Sequence, residues 1–158
     1  DDGFLKLIGQ KTEAFVAEEN PKYRKFLVEL LNDRRKVQPV NAIHQRSYIS
    51  TDAIIGHGNF INANVNIGAG VEIGSHCIIN SAAVIEHKAK LGDFVQVGAG
   101  SVINSDVIIE EGAFIGSGAT IVSGVTIGKN ARVGAGSVVI ATVGSNETVF
   151  GNPAAKVK

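Results

Sequence analysis

From Ile49 to Val139, isoleucine, leucine or valine recurs at every sixth residue, through sixteen consecutive positions. Helices repeat near 3.6 residues and strands at 2, so neither element by itself explains a strict period of six. The pattern predicts a prism that turns one corner in every hexad, with three hexads in one triangular coil. Small residues follow the aliphatic one by four places, at nine positions that we also expect to face inward: Ala53, Cys77, Ala83, Ala89, Ser101, Ala113, Ala119, Ala131 and Ser137.

The aliphatic positions face inward and predict a mainly β chain of stacked coils, because one coil cannot bury its own isoleucine and valine residues. Sixteen hexads correspond to about five coils of 18 residues. Several glycines directly follow the inward aliphatic residue, and we expect a bend with unusual φ and ψ at each of them. These glycines are Gly56, Gly68, Gly74, Gly92, Gly98, Gly116, Gly128 and Gly134.

The part of the chain before the hexads predicts a partial α/β segment. Asn20 followed by Pro21 is typical of a helix N-cap and first helical position, and apolar residues at helical spacing continue to about Arg34. Short apolar runs at 14–17 and 40–43 predict strands on either side of this helix, which together suggest a βαβ fragment.

Composition excludes several classes of function. The 15 basic and 15 acidic side chains cancel, so no broad field draws the chain to nucleic acid or to an anionic membrane. The single cysteine, Cys77, excludes an internal disulfide and favours a reducing compartment, so we expect a cytoplasmic protein. No apolar stretch approaches the ~18 residues that span a membrane. The separations of His57, His76 and His87 do not suggest a metal site.

Residues 80–94, with the sequence NSAAVIEHKAKLGDF, contain the candidate chemistry. This stretch resembles the signature of the hexapeptide-repeat sugar acetyltransferases of the sialic acid O-acetyltransferase and UDP-4-amino-sugar N-acetyltransferase group. In that group a glutamate-histidine pair, here Glu86 and His87, precedes a Gly-Asp-Phe turn, and the tail of 151–154, GNPA, matches its closing motif. The resemblance implies a left-handed parallel β-helix, acetyl-CoA as co-substrate, and a homotrimer with the active site between subunits.

The same resemblance suggests how the chain is organised. It implies a partial nucleotide-binding-like segment (1–46), a β-helix acyltransferase domain (47–144) and a C-terminal tail (145–158). The chain contains no methionine, so we expect a further segment upstream of Asp1.

By resemblance His87 is the general base, and imidazole can accept a proton near neutral pH. Glu86 is the neighbour able to stabilise the imidazolium. Relatives usually have an acidic residue after the histidine, whereas this chain has Lys88, which we expect to pair with Asp106 one coil later. Gln96 stands where relatives often have a second histidine, and it can donate a hydrogen bond to a thioester carbonyl.

Three further positions follow from the register of 18 residues. Ser105 lies one coil above His87, and the resemblance implies that its backbone N–H stabilises the oxyanion of the tetrahedral intermediate. Ser117 and Ala135 share a column, and they resemble the positions whose backbone amides line the pantetheine arm of coenzyme A.

The resulting hypothesis is an acetyl-CoA-dependent N-acetyltransferase that acts on a nucleotide-linked amino sugar by direct attack, without a covalent enzyme intermediate. A sugar O-acetyltransferase of the sialic acid type is an alternative that differs only in its acceptor. A non-catalytic β-helix, used for trimerisation or binding, is a further alternative. In a trimer, we expect the prism faces to bury exposed aliphatic side chains at Ile54, Ile78, Ile108 and Val138.

Overall fold

The hexads fold into a parallel β-helix in the computed structural model, which describes residues 6–10 and 12–157. Each hexad contributes one strand of two residues, and the second residue of the strand is the inward aliphatic one. Each strand pairs in parallel with the strand 18 residues later, as in the pairing of Ile67 with Ile85. The solenoid matches a left-handed β-helix of about 6 turns, which confirms the predicted fold class.

Nineteen strands and one helix make up the regular structure of the described residues. The strands are Ala42–Ile43 (β1), Tyr48–Ile49 (β2), Ile54–Ile55 (β3), Phe60–Ile61 (β4), Asn66–Ile67 (β5), Glu72–Ile73 (β6), Ile78–Ile79 (β7), Val84–Ile85 (β8), Lys90–Leu91 (β9), Gln96–Val97 (β10), Val102–Ile103 (β11), Ile108–Ile109 (β12), Phe114–Ile115 (β13), Thr120–Ile121 (β14), Thr126–Ile127 (β15), Arg132–Val133 (β16), Val138–Val139 (β17), Thr148–Gly151 (β18) and Ala154–Lys156 (β19). The helix is Pro21–Arg35 (α1).

The strands form the three faces of a prism. Face 1 has the order β1-β4-β7-β10-β13-β16-β18-β19, face 2 contains β2, β5, β8, β11, β14 and β17, and face 3 contains β3, β6, β9, β12 and β15. We term the corner between faces 1 and 2 the first corner, that between faces 2 and 3 the second, and that between faces 3 and 1 the third. The last strand, β19, runs antiparallel to β18 at the edge of face 1.

The core is a set of columns of aliphatic side chains inside the prism. The side chains of Ile67, Ile85 and Ile103 stack in one column and are 0% exposed. The small residues four places on, such as Ala83 and Ala89, also point inward and are fully buried, as predicted. Burial of each isoleucine stabilises the fold by about 1.5–3 kcal/mol, so the stacked coils supply most of the core energy.

The bends of the prism lie at a different residue from the one that the sequence suggested. None of the eight glycines after the inward aliphatic residue has a positive φ. Positive φ occurs two residues further on, at every hexad from Gly58 to Gly136, including φ 60° at Asn64 and φ 58° at Lys88. The expectation of unusual φ and ψ at the eight glycines was therefore wrong.

Close approach of the next coil explains most of these glycines instead. A Cβ on Gly128 would lie 2.5 Å from the Ser145 nitrogen, and one on Gly92 would lie 2.8 Å from the Glu111 nitrogen. No real Cβ approaches a backbone atom so closely, so the coils can stack at this spacing only where the side chain is absent.

The N-terminal segment confirms the helix but not the βαβ arrangement. The Asn20 side chain accepts hydrogen bonds from the backbone N–H groups of Lys22 (3.0 Å) and Tyr23 (3.4 Å), as a helix N-cap does. Residues 14–17 form no strand. The strand Ala42–Ile43 pairs with Phe60–Ile61, so it is the first strand of the β-helix.

The hexad register explains this correction, because Ile43 lies six residues before Ile49 and continues the inward series toward the N-terminus.

The outer surface of the prism differs from face to face. Ile54 and Ile108 on face 3 are 67% and 45% exposed, as expected for side chains available to a partner. Val138 on face 2 is half-buried within the chain. Ile78 is not on a free surface, because it lines a cavity of about 310 Å³ on face 1 together with Phe15 of the N-terminal segment.

Arg24 connects helix α1 to the β-helix through hydrogen bonds. Its side chain is 2% exposed, and its Nε donates to the backbone carbonyl of His76 at 3.1 Å. Its Nη1 donates to the carbonyls of Glu18 (3.2 Å) and Glu19 (2.9 Å). One buried guanidinium therefore holds the third corner, the helix and the segment before the helix together.

We predict that Arg24→Met destabilises the fold by more than about 1.5 kcal/mol, because charge-assisted hydrogen bonds to buried carbonyls contribute about 1.5–3 kcal/mol each. Lys25→Met is the matched control. Lys25 is exposed and its ion pair with Glu111 is 3.7 Å long, so its loss should cost about 1 kcal/mol or less. Denaturation of both variants at equal protein concentration checks this, and equal losses would contradict the anchoring role of Arg24.

His76 gives the fold a pH dependence. The residue is only 7% exposed, at the corner where Arg24 of helix α1 binds its carbonyl. Its ring lies 5.0 Å from the Phe94 ring, between centroids. Burial lowers the pKa of His76 below its ordinary value, and the charge of Arg24 lowers it further, against the opposing effect of Asp93.

Because the unfolded chain binds this proton at a higher pH than the folded chain, we predict that stability decreases as the pH falls below about 6.5. The variant His76→Asn should reduce this decrease. Asparagine suits the backbone there, since φ is 62° at His76 and Asn64 and Asn130 occupy equivalent corners with φ 60° and 56°. Melting temperatures measured between about pH 7.5 and pH 5.5 check this. Parallel pH curves for the two proteins would show that His76 is not the cause.

Candidate active site

His87 lies on the second corner, as the second residue after the strand β8, and its side chain is exposed. The backbone around it is fixed from both sides. The Lys88 N–H donates to the Ala69 carbonyl of the coil below at 2.9 Å, and the His87 carbonyl accepts from the Asp106 N–H of the coil above at 3.2 Å. The corner therefore presents the imidazole from a backbone that two neighbouring coils hold in place.

The Ser105 hydroxyl contacts the His87 ring. Ser105 Oγ lies 3.0 Å from His87 Nδ1, a hydrogen-bond distance between side chains of successive coils. The resemblance implied only a backbone role for Ser105, so this side-chain contact was not predicted. The signal was present, because the register of 18 residues already placed the two residues in one column.

The backbone N–H of Ser105 also fits its expected role. Within the described residues it has no hydrogen-bond partner, whereas the N–H groups on either side are used: that of Asn104 donates to Ile121 and that of Asp106 to His87. Ser105 therefore presents two polar groups at this corner, a hydroxyl on the imidazole and an open amide beside it.

The Glu86 carboxylate does not contact His87. Glu86 is exposed, and its side chain makes no hydrogen bond or ion pair with any residue that the structure describes. Adjacent residues at the end of a strand project in different directions, so neighbouring sequence positions do not place the two side chains together.

Lys88 and Asp106 do not form the expected ion pair. The four ion pairs between described residues that involve lysine do not include either side chain. The Lys88 side chain runs toward the coil below, where its Cγ would lie 3.5 Å from a Cβ on Gly70, and so it runs away from Asp106 in the coil above. The prediction from the register was therefore wrong, although the two residues share one column and nearly the same φ, 58° and 59°.

Gln96 is not near His87 within one chain. It lies in strand β10 on face 1, where it is flanked by Ile78 and Phe114 of the neighbouring strands. Its side chain lines a cavity of about 450 Å³ that also contains Glu19 and Arg132. His87 is on the opposite corner, between faces 2 and 3.

Ser117 and Ala135 lie in one column on the first corner, and their backbone N–H groups have no partner among the described residues. The residue after each of them is bonded to the coil below, since Gly136 donates to the Ser117 carbonyl at 2.9 Å. For each of these amides, a glycine in the coil below leaves the space that the amide needs. A Cβ on Gly116 would lie 2.5 Å from the Ala135 nitrogen, and one on Gly98 would contact the Ser117 nitrogen.

On the third corner, side chains of the protein occupy three of the corresponding amides, whereas those of Asp93 and Glu111 have no described partner. The N–H groups of His57 and Ser75 donate to Ser75 Oγ (3.1 Å) and Asp93 Oδ1 (2.7 Å), and that of Lys129 donates to Glu110 Oε2 (2.7 Å). The amides of the candidate residues Ser105, Ser117 and Ala135 are open, and such donors can bind carbonyl or oxyanion groups of a ligand.

Cys77 lies inside the prism, as the sequence predicted, with 0% exposure. Burial raises the pKa of Cys77 to about 12. A protonated thiol is a poor nucleophile, so the residue does not offer a covalent route.

In the part of the chain that the structure describes, three or more histidine, cysteine or acidic residues do not gather into a possible metal site. None of its helices has the length and apolar character required to cross a bilayer.

A parallel β-helix with an exposed corner histidine and open corner amides defines a class, the hexapeptide-repeat transferases. The family model for bacterial transferase hexapeptide repeats matches residues 88–123 and 106–141. The chain belongs to the hexapeptide-repeat sugar acetyltransferases, on the evidence of a solved relative that is 34% identical over 100% of this chain and 76% of its own.

That relative is PerB from Caulobacter crescentus, which was solved in complex with CoA and GDP-perosamine and superposes with a TM-score of 0.93. The acetyltransferase domain of PglB from Neisseria gonorrhoeae, solved with acetyl coenzyme A, is 28% identical over 98% of this chain and 75% of its own, with a TM-score of 0.91. WeeI from Acinetobacter baumannii is 29% identical over 98% of this chain and 75% of its own, with a TM-score of 0.90. A search of curated protein sequences found no match.

Proposed function

We propose that the protein transfers the acetyl group of acetyl-CoA to the amine of a nucleotide-linked amino sugar, with His87 as general base. The observation that carries this proposal is the exposed imidazole on the second corner, hydrogen-bonded through Nδ1 to Ser105 Oγ at 3.0 Å. The relatives support the substrates. A perosamine N-acetyltransferase from Caulobacter crescentus, 32% identical to this chain, was solved with CoA and GDP-perosamine.

His87 Nε2 takes the proton that the sugar amine loses as its nitrogen attacks the thioester carbonyl carbon. The C–N bond forms, the C–S bond breaks, and His87 then returns the proton to the departing sulfur. The open N–H of Ser105 supports the negative charge on the carbonyl oxygen of the tetrahedral intermediate. No enzyme nucleophile is needed, in agreement with the buried and protonated state of Cys77.

The first corner provides the groove for the co-substrate. The amides of Ser117 and Ala135 are spaced by one coil, and they can donate to the carbonyl groups of the pantetheine arm. Both residues have small side chains, so the arm can lie against the backbone. The absence of side chains at Gly98 and Gly116 keeps these amides in position.

We propose that the active site forms between subunits of a homotrimer. Gln96 and His87 lie on different sides of one prism, so they can act on one substrate only when two chains contribute them. The exposed side chains of Ile54 and Ile108 on face 3 support such an assembly. In it, Gln96 donates to the acetyl carbonyl, and Glu86 is a charged neighbour of the imidazolium. The lone reduced thiol and the need for acetyl-CoA support a cytoplasmic location.

We predict that His87→Ala lowers kcat by about 10²–10⁴-fold, the usual contribution of a general base. His57→Ala is the control, because His57 is an exposed corner histidine whose backbone N–H is bonded to Ser75. It should leave kcat unchanged. The measurement is thiol release from acetyl-CoA with a panel of GDP- and UDP-linked amino sugars.

The same measurement, extended to sugars that offer only hydroxyl acceptors, separates the alternatives. Release with hydroxyl acceptors alone would move the assignment to a sugar O-acetyltransferase. If no acceptor supports release in folded protein, or if His87→Ala leaves the rate unchanged, the acetyltransferase mechanism proposed for this corner is refuted and a non-catalytic β-helix is favoured.

The proposed groove predicts a difference between two glycines of the same kind. A Cβ on Gly116 would lie 2.5 Å from the Ala135 nitrogen, and one on Gly128 would lie 2.5 Å from the Ser145 nitrogen on the third corner. Gly116→Ala and Gly128→Ala should therefore destabilise the fold similarly, by about 1–3 kcal/mol. Only Gly116→Ala displaces an amide of the groove, so only it should weaken CoA binding, by up to about tenfold.

Titration calorimetry with CoA, at a temperature where both variants are folded, measures this difference. Equal affinities for the two variants would contradict the assignment of the first corner to the co-substrate.

A further inference from the structure

We propose that Ser105 is a positioning residue, whose hydroxyl accepts a hydrogen bond from His87 Nδ1–H and so keeps Nε2 free as the base. This inference rests on the proposed function, in which His87 removes a proton from the acceptor. In relatives, the resemblance implies that a carboxylate beside the histidine is its hydrogen-bond partner. In this chain, a serine of the next coil would be that partner.

Backbone hydrogen bonds to neighbouring coils fix both residues of this contact. The Ser105 carbonyl accepts from the Gly124 N–H at 3.0 Å, and the His87 carbonyl accepts from the Asp106 N–H at 3.2 Å. Three successive coils therefore fix the two backbones. The separation of 3.0 Å between Oγ and Nδ1 follows from the stacking of the coils.

No charged group competes with the hydroxyl for the ring. On the coils stacked at this corner the charged residues are Glu86, Lys88 and Asp106, with Asp52 two coils below His87. The Asp52 carboxylate is used by Ser50 Oγ at 2.6 Å and by the Gly70 N–H at 3.1 Å. The other three make no described contact with the imidazole. Ser105 Oγ is thus the one polar side-chain atom described in contact with the ring.

The direction of the hydrogen bond follows from the reaction. A serine hydroxyl can donate or accept, whereas both nitrogens of an imidazolium are donors. If Oγ donated to Nδ1 in the resting protein, Nε2 would hold the ring proton and could not act as the base. If Oγ accepts from Nδ1–H, the same hydrogen bond persists when Nε2 takes the proton, so nothing needs to reorganise during the step.

The test compares Ser105→Ala with Ser105→Thr, which retains a hydroxyl, and with Ser123→Ala in the same column one coil higher. The ring proton of His87 is located by nitrogen-15 NMR of the protein without substrate, about two pH units above the usual histidine pKa of ~6.5, with His87→Asn to assign the signals. We expect the Nδ1–H tautomer in the unsubstituted protein, in Ser105→Thr and in Ser123→Ala. Ser105→Ala should shift the population toward Nε2–H.

The activity measurement completes the test. All of these substitutions leave the Ser105 backbone N–H in place, so a change in the oxyanion donor does not enter the comparison. We expect kcat to fall by about 10–100-fold in Ser105→Ala, as when orienting partners are removed elsewhere, with KM little changed. Ser105→Thr should restore most of kcat.

An Nε2–H tautomer in the unsubstituted protein, an unchanged tautomer in Ser105→Ala, or an unchanged kcat in that variant would overturn the proposal. The NMR measurement needs no substrate, so its result is independent of the proposed function. Failure of the unsubstituted protein to acetylate any amine would refute that function, whatever the tautomer.

Discussion

The in-register stacking of each residue on the one 18 positions later is the constraint on which the rest of the molecule depends. Ile67 pairs with Ile85 and Ile85 with Ile103, and the backbone N–H of Gly68 donates to the Ile85 carbonyl at 2.8 Å. A slip of one residue would turn every buried aliphatic side chain to the outside. The hydrophobic core therefore fixes the register, and the register places Ser105 on His87.

The same stacking produces the open amides. At each corner the first residue after the strand donates to the coil above and the third donates to the coil below, as Gly116 and Gly118 do toward Val133 and Ala99. The residue between them, Ser117, has no backbone partner that the structure describes. The protein closes such amides with its own side chains on the third corner, for example Ser75 with Asp93. Open donors at the candidate residues thus arise from the fold without any special loop.

The sequence predicted the features that follow from its patterns of hydrophobic and capping residues. It predicted which residues face inward, the helix that begins after Asn20, and the corner that presents His87. A period does not define the dihedral angles of a corner, so the residues with positive φ were misplaced and the close approach at glycines such as Gly128 was missed. It also does not give the direction of a long side chain, so Lys88 was wrongly paired with Asp106.

In the proposed mechanism, the Ser105 hydroxyl takes the place of a carboxylate as the partner of the base. A carboxylate both orients an imidazole and stabilises the imidazolium by charge, whereas a hydroxyl supplies orientation through one neutral hydrogen bond. In this chain the orienting group and the open amide belong to the same residue. Because the Ser105 Oγ and N–H share one backbone, which neighbouring coils fix, the proposed base and the proposed oxyanion donor are held relative to each other by the core. The corner therefore obtains a preorganised geometry from coil stacking rather than from a charged partner.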